Sequence, residues 1–67
     1  MKSYNDATQQ NLTETRRQRI FLVLVTAQDQ NMGVAKSRQL IARQFGITED
    51  DVRNIEREGI DNNWPPL

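Results

Sequence analysis

The amino-acid sequence predicts an all-α fold, one small domain of three helices. Three observations predict it. Residues 13–30 run without a Gly or a Pro and carry an unbroken apolar block from Ile20 to Val25. Leu40, Ile41 and Phe45 share one helical face, and Gly46 follows directly as a helix-ending residue would. Thr48-Glu49-Asp50-Asp51 has the chemistry of a helix start, a hydroxyl with a carboxylate three residues later. Around this body, residues 1–12 read as a flexible polar arm, residues 13–60 as the helical domain and residues 61–67 as a Trp-Pro-Pro tail.

Sixty-seven residues allow one domain and no more. Leu, Ile, Val and Phe make up 16 of them, about 24%, above the roughly 20% below which chains stay disordered, so a thin core is expected. The absence of cysteine excludes a disulfide framework, a thiolate zinc site and a cysteine nucleophile. The absence of histidine removes the usual general base and the commonest metal ligand. The remaining carboxylates, Lys, Ser, Thr and one Tyr have little room to form a cleft. No enzyme activity, metal or cofactor is expected. Met1 to Asp6 lacks the layout of a signal peptide, and a six-residue apolar run is far short of the about twenty a bilayer span needs. A cytoplasmic chain without membrane contact is the expectation, and its ends are those expected of a complete small open reading frame from a phage, plasmid or bacterium.

For the first helix, Asn11-x-x-Glu14 matches a capping box, and Thr15 to Gln30 continues for about four turns. Ile20 to Val25 is apolar at every position, so a helix there is apolar all round, and its β-branched content also permits a strand. Helix is favoured because Arg16 to Arg19 and Thr26 to Gln30 continue on either side without turn signals. Ile20, Phe21, Leu24 and Ala27 then face the other helices. Leu22, Val23 and Val25 remain as an interface for a homodimer or another protein. Gln30-Asn31-Met32-Gly33 is the connector.

The second helix has Ser37 as its candidate cap, and Ala42 is small where two backbones would approach. Gly46 supplies the positive φ of a sharp turn. In the third helix Val52 and Ile55 lie three apart on one face, and Ile60 closes the end after Gly59. Phe45, Ile47, Val52 and Ile55 make a shared apolar seam. The pattern Ile41-Ala42-x-x-Phe45-Gly46-Ile47-x-x-x-x-Val52-x-x-Ile55 is that of a DNA-binding helix-turn-helix, and an αα-hairpin with a glycine cap is the plainer alternative. Trp64 is expected to pack back on the core, the alternative being an exposed Pro-rich docking tail.

Residues 37–60, through Gln44-Phe45-Gly46-Ile47-Thr48 and Val52-Arg53-Asn54-Ile55-Glu56, resemble the fourth region of primary bacterial sigma factors. That region reads a promoter element with its second helix. The resemblance implies that Ser37 and Thr48 touch phosphates, that Asp50 and Arg53 lie in the groove, and that Asn54 replaces the family's usual Gln. Glu49 and Asp51 depart from it, because the family commonly has Arg there.

Read physically, Arg53 suits guanine and Asn54 suits adenine by bidentate pairing, while Asp50 can accept from a cytosine amino group. Arg57 follows on the same helix. Lys36, Arg38 and Arg43 on the second helix, with Arg16, Arg17 and Arg19 on the first, are candidate phosphate contacts. For the three acids of the third helix, a solvated first turn is the plainer reading. The net charge of zero first argues against nucleic acid, yet residues 1–47 carry seven cations and three acids (+4), and residues 48–67 carry two and six (−4). The expected function is that of a transcriptional regulator binding double-stranded DNA through the helix that starts at Thr48. The alternative is a protein-interaction module that contacts RNA polymerase or another regulator.

Overall fold

The computed structural model describes residues 12–67, so most of the polar arm lies outside the described residues, and the first helix is capped by Thr13 rather than by the expected Asn11. The described residues form three helices and no strand: α1 (Glu14–Asp29), α2 (Val34–Phe45) and α3 (Glu49–Asn62). The apolar block of Ile20 to Val25 is therefore helical.

α1 starts at Thr13, whose side chain accepts a 3.3 Å hydrogen bond from the Arg16 N–H. Ile20, Phe21 and Leu24 form its buried stripe. At about 100° per residue, Val23 and Val25 flank that stripe, and only Leu22 points away from it. Burial follows this geometry. Val23 and Val25 are half-buried against the core, and Leu22 is 45% exposed. The expected interface of Leu22, Val23 and Val25 thus reduces to Leu22 with the edge of Val23. Ala27 is half-buried on the core side. The helix ends as Asn31 takes a φ of 69°, a conformation Asn tolerates better than most residues.

α2 begins earlier than its expected cap. Gly33 is the N-cap, and Ser37 sits one turn inside the helix, fully buried. Ser37, Ile41 and Ala42 make the inward stripe, with Phe45 half-buried at its end. Leu40, expected beside Ile41 and Phe45, is turned past the edge of that stripe and is 42% exposed. Gly46 (φ 69°, ψ 36°) stops the helix as expected, donating its N–H to the Ala42 carbonyl, as Ile47 does at 3.0 Å.

Thr48 caps α3 reciprocally with Asp51. The Asp51 N–H donates to Thr48 Oγ1 at 3.0 Å, and the Thr48 N–H donates to the Asp51 carboxylate at 3.2 Å. α3 runs past Ile60, which is 58% exposed and closes nothing. It continues through Gly59, buried because Phe21 lies flush against the backbone there: a Cβ on Gly59 would meet the ring within 2.6 Å of Cγ. Asn63 then turns left-handed (φ 59°), and the Trp64 N–H reaches back to the Gly59 carbonyl at 2.9 Å. This turn drops Trp64 onto Phe21, edge to face at 6.1 Å between centroids and buried to 6% exposure. The core comprises Ile20, Phe21 and Leu24 of α1, Ile41 and Ala42 of α2, Val52 and Ile55 of α3, and Trp64. No helix of the described residues is long and apolar enough to cross a membrane.

Candidate nucleic-acid interface

With Val52, Ile55 and Gly59 turned inward, α3 presents Asp50, Arg53, Asn54 and Arg57 outward, all exposed. Their spacing of three, four and seven residues puts them on one face. Arg53 pairs with Asp50 one turn earlier, both side chains more than half exposed. Such a pair in water is weak and exchangeable. Glu49 is exposed, whereas Asp51 is committed to the Thr48 cap. The acidic first turn thus has a structural use at two of its three positions.

α2 contributes Arg38 to the same side. Arg38, Arg53 and Arg57, together with Glu56, Ile60 and Asp61, line one open hollow between α2 and α3. The Arg38 guanidinium is held by Glu56 at 2.8 and 3.0 Å. Glu56 is held in turn from α1, because Gln28 Nε2 donates to it at 3.4 Å and to Ser37 Oγ at 3.3 Å. Ser37 completes the network by donating to the Val34 carbonyl at 2.8 Å. One polar cluster therefore joins all three helices beneath the hollow and orients Arg38. Ser37 is a correction to the sequence reading: expected to cap α2 and touch phosphate, it has no exposed surface.

The cations of α1 are placed differently from expectation. Arg17 is bidentate to Glu58 of α3 at 2.7 and 3.0 Å and also donates to the Leu12 carbonyl. Hydrogen bonding to Glu58 holds this guanidinium above the ordinary arginine range, against the opposing effect of partial burial. Arg16 lies over the Phe45 ring, 5.5 Å from its centroid, with its Nε buried. Both are half-buried and fasten α1 to the other helices, so neither is a free phosphate contact. Arg19, Lys36 and Arg43 are exposed, but away from the Arg38 hollow: Lys36 and Arg43 line a recess with Met32 and Leu40, and Arg19 one with Leu22 and Val23. Thr48 is exposed, with its hydroxyl oxygen engaged in the cap.

Of the twelve residues expected at DNA, the structure thus gathers Arg38, Asp50, Arg53, Asn54 and Arg57 around the outer side of α3. It sets Lys36, Arg43 and Arg19 on other recesses, uses Arg16, Arg17 and Ser37 internally, and engages Thr48 in the cap of α3. Sequence reasoning missed Gln28 and Glu56 as supports, for no local signal links residues 28 apart in the chain. Leu40 lies about 100° around the helix from Ile41, on the side away from Ala42, so a stripe of Ser37, Ile41 and Ala42 leaves it at the edge.

Comparison with known proteins adds no relative: no protein-family model matches the chain, and no curated protein or solved structure does. The class stands on the fold and the site alone, a compact three-helix domain with an arginine-lined outer face on its last helix.

Proposed function

We propose that the chain is a cytoplasmic, sequence-specific DNA-binding regulator of transcription that lays α3 in the major groove. One observation carries the reading: Arg53 and Arg57 stand exposed beside Asn54 on one face of a helix reached through the three-residue turn Gly46-Ile47-Thr48, next to a hollow that Arg38, Glu56, Ile60 and Asp61 also line. Two helices joined by so short a turn support a helix-turn-helix reading, in which the second helix meets base edges and its neighbour meets the backbone. The major groove admits one helix, Arg53 or Arg57 can take guanine, and Asn54 can take adenine. Arg38 is engaged by Glu56 as Arg17 is by Glu58, so Arg53 and Arg57 are the exposed cations of this face. The likeness of residues 37–60 to the fourth region of primary sigma factors points the same way.

The acids set the strength of binding. Asp50, Glu49 and Asp61 remain near this surface, so affinity is modest and the salt dependence shallow. With one of Arg53 and Arg57 on guanine and the other on a phosphate, the slope would be about −1 in log K against log salt. The test is fluorescence anisotropy with a pool of duplex DNA at several salt concentrations, followed by selection of the bound fraction. Binding that weakens with salt, falls in Arg53→Ala and Arg57→Ala, and rises in Asp50→Asn supports the reading. Absence of binding at low salt, or indifference to both arginine substitutions, removes it.

A second reading, a protein-interaction module contacting RNA polymerase or another regulator, draws support from the exposed acidic start of α3. Glu49→Gln with Asp50→Asn separates the two. It strengthens DNA binding under the first reading and weakens polymerase or regulator binding under the second.

A further inference from the structure

Three adjoining recesses follow the outer side of α1 and pass onto α2. Leu22 and Val23 line both the first and the middle recess, Met32 and Leu40 both the middle and the last, and Ala27 and Pro65 add to this apolar floor. Leu22 and Leu40 keep 45% and 42% of their surface in water, so this floor is the apolar face that α1 and α2 leave uncovered. Along α1 the recesses extend from Thr15 to Gln30, about 22 Å at 1.5 Å per residue, or four turns of a partner helix.

The rim has one sign of charge. Arg19 lines the recess at one end, and Lys36 and Arg43 line the one at the other. Among the described residues no carboxylate lines any of the three, although the whole chain has nine acids to nine bases. Glu14 and Asp29, the carboxylates of α1, stand outside all of them. The groove shares no lining residue with the Arg38–Arg53–Arg57 hollow.

We propose that this groove docks an amphipathic helix of a partner protein, an apolar ridge flanked by Asp and Glu. The ridge covers Leu22 and Leu40, and the flanking acids meet Arg19, Lys36 and Arg43. Two other occupants fit less well. A second copy docked through the same face sets three cations against the same three, with no carboxylate between them. Duplex DNA satisfies the cations but lays phosphates over Leu22 and Leu40, where burial yields nothing.

The test uses the full chain with labelled methyl groups and two synthetic helical peptides of about four turns. Both carry a leucine ridge; one has Glu at its remaining positions and the other has Lys. The acidic peptide is expected to saturate, to move the Leu22, Val23 and Leu40 methyl signals, and to bind at least about tenfold tighter than the basic one. Leu22→Asp or Leu40→Asp weakens it by about tenfold or more. The combined Arg19→Glu, Lys36→Glu and Arg43→Glu variant reverses the preference between peptides. All these positions are exposed, and far-UV circular dichroism verifies that each variant is folded. Four results overturn the proposal: no saturation, equal affinity for both peptides, methyl signal changes confined to Val52, Ile55 and Ile60 of α3, or groove methyls that move with duplex DNA. A dimer in sedimentation that Leu22→Asp dissolves also overturns it, by assigning the groove to a second copy.

Discussion

The two sides of α3 obey different rules. Its inward side, Val52, Ile55, Glu58 and Gly59, is constrained at every position by another helix: Phe21 lies on the Gly59 backbone, Trp64 on Phe21, and Arg17 on Glu58. Its outward side, Asp50, Arg53, Asn54 and Arg57, is constrained only by water and by one exposed ion pair. Residues on the inner side are therefore explained by packing. The choice of two arginines and an asparagine on the outer side has no such explanation, and that contrast gives the outer side its weight as a binding surface.

The sharpest way to break the contrast is Gly59→Ala. Helix propensity alone favours Ala by about 1 kcal/mol. Here the added methyl enters the Phe21 ring, which is fully buried and cannot withdraw. Net destabilisation of about 1–3 kcal/mol is expected from urea unfolding followed by circular dichroism. A second change, Phe21→Leu, should restore part of that loss in a double-mutant cycle, because it removes the atoms in conflict. A stable Gly59→Ala single variant would show that α1 and α3 are not in close contact.

Smaller effects grade the same comparison. Thr48→Ala removes the cap that starts the outer face and should cost about 1 kcal/mol. Glu58→Gln keeps the shape of its side chain but weakens the bridge to Arg17. Both groups are about a third exposed, so solvent screening limits the loss to less than about 1 kcal/mol. Arg57→Ala should change stability by no more than about 0.5 kcal/mol, yet reduce DNA binding measured by anisotropy. That last variant matters most for function, since a large stability effect would reassign Arg57 from the surface to the fold.

Much of this could be read in the chain. Gly46 behind Phe45, and Thr48 with Asp51, are local signals, because a left-handed stop and a reciprocal cap involve neighbours within four residues. Ile20, Phe21 and Leu24 followed from the helical period once the segment was taken as a helix. The start of α2 was misread because Ser37 has the chemistry of a cap, while its buried hydroxyl is satisfied by Val34 and Gln28 instead. The arginines were misjudged for a similar reason. Position along the chain does not show that Arg17 meets Glu58, 41 residues away, or that Arg16 meets Phe45.

The sequence by itself determined the three helices, the turn between α2 and α3 and the outward set of α3, because capping, left-handed glycine and helical period act over a few residues. Only the tertiary structure decided which cations remain for a partner. Ion pairs and close packing between helices depend on distances the linear chain does not encode, and they withdrew Arg16 and Arg17, tied Arg38 to Glu56, and left Arg53 and Arg57 facing solvent. The same assembly turned Gly59, expected only to mark the end of its helix, into the contact surface for Phe21, and left Leu22 and Leu40 bare beside a rim of positive charge.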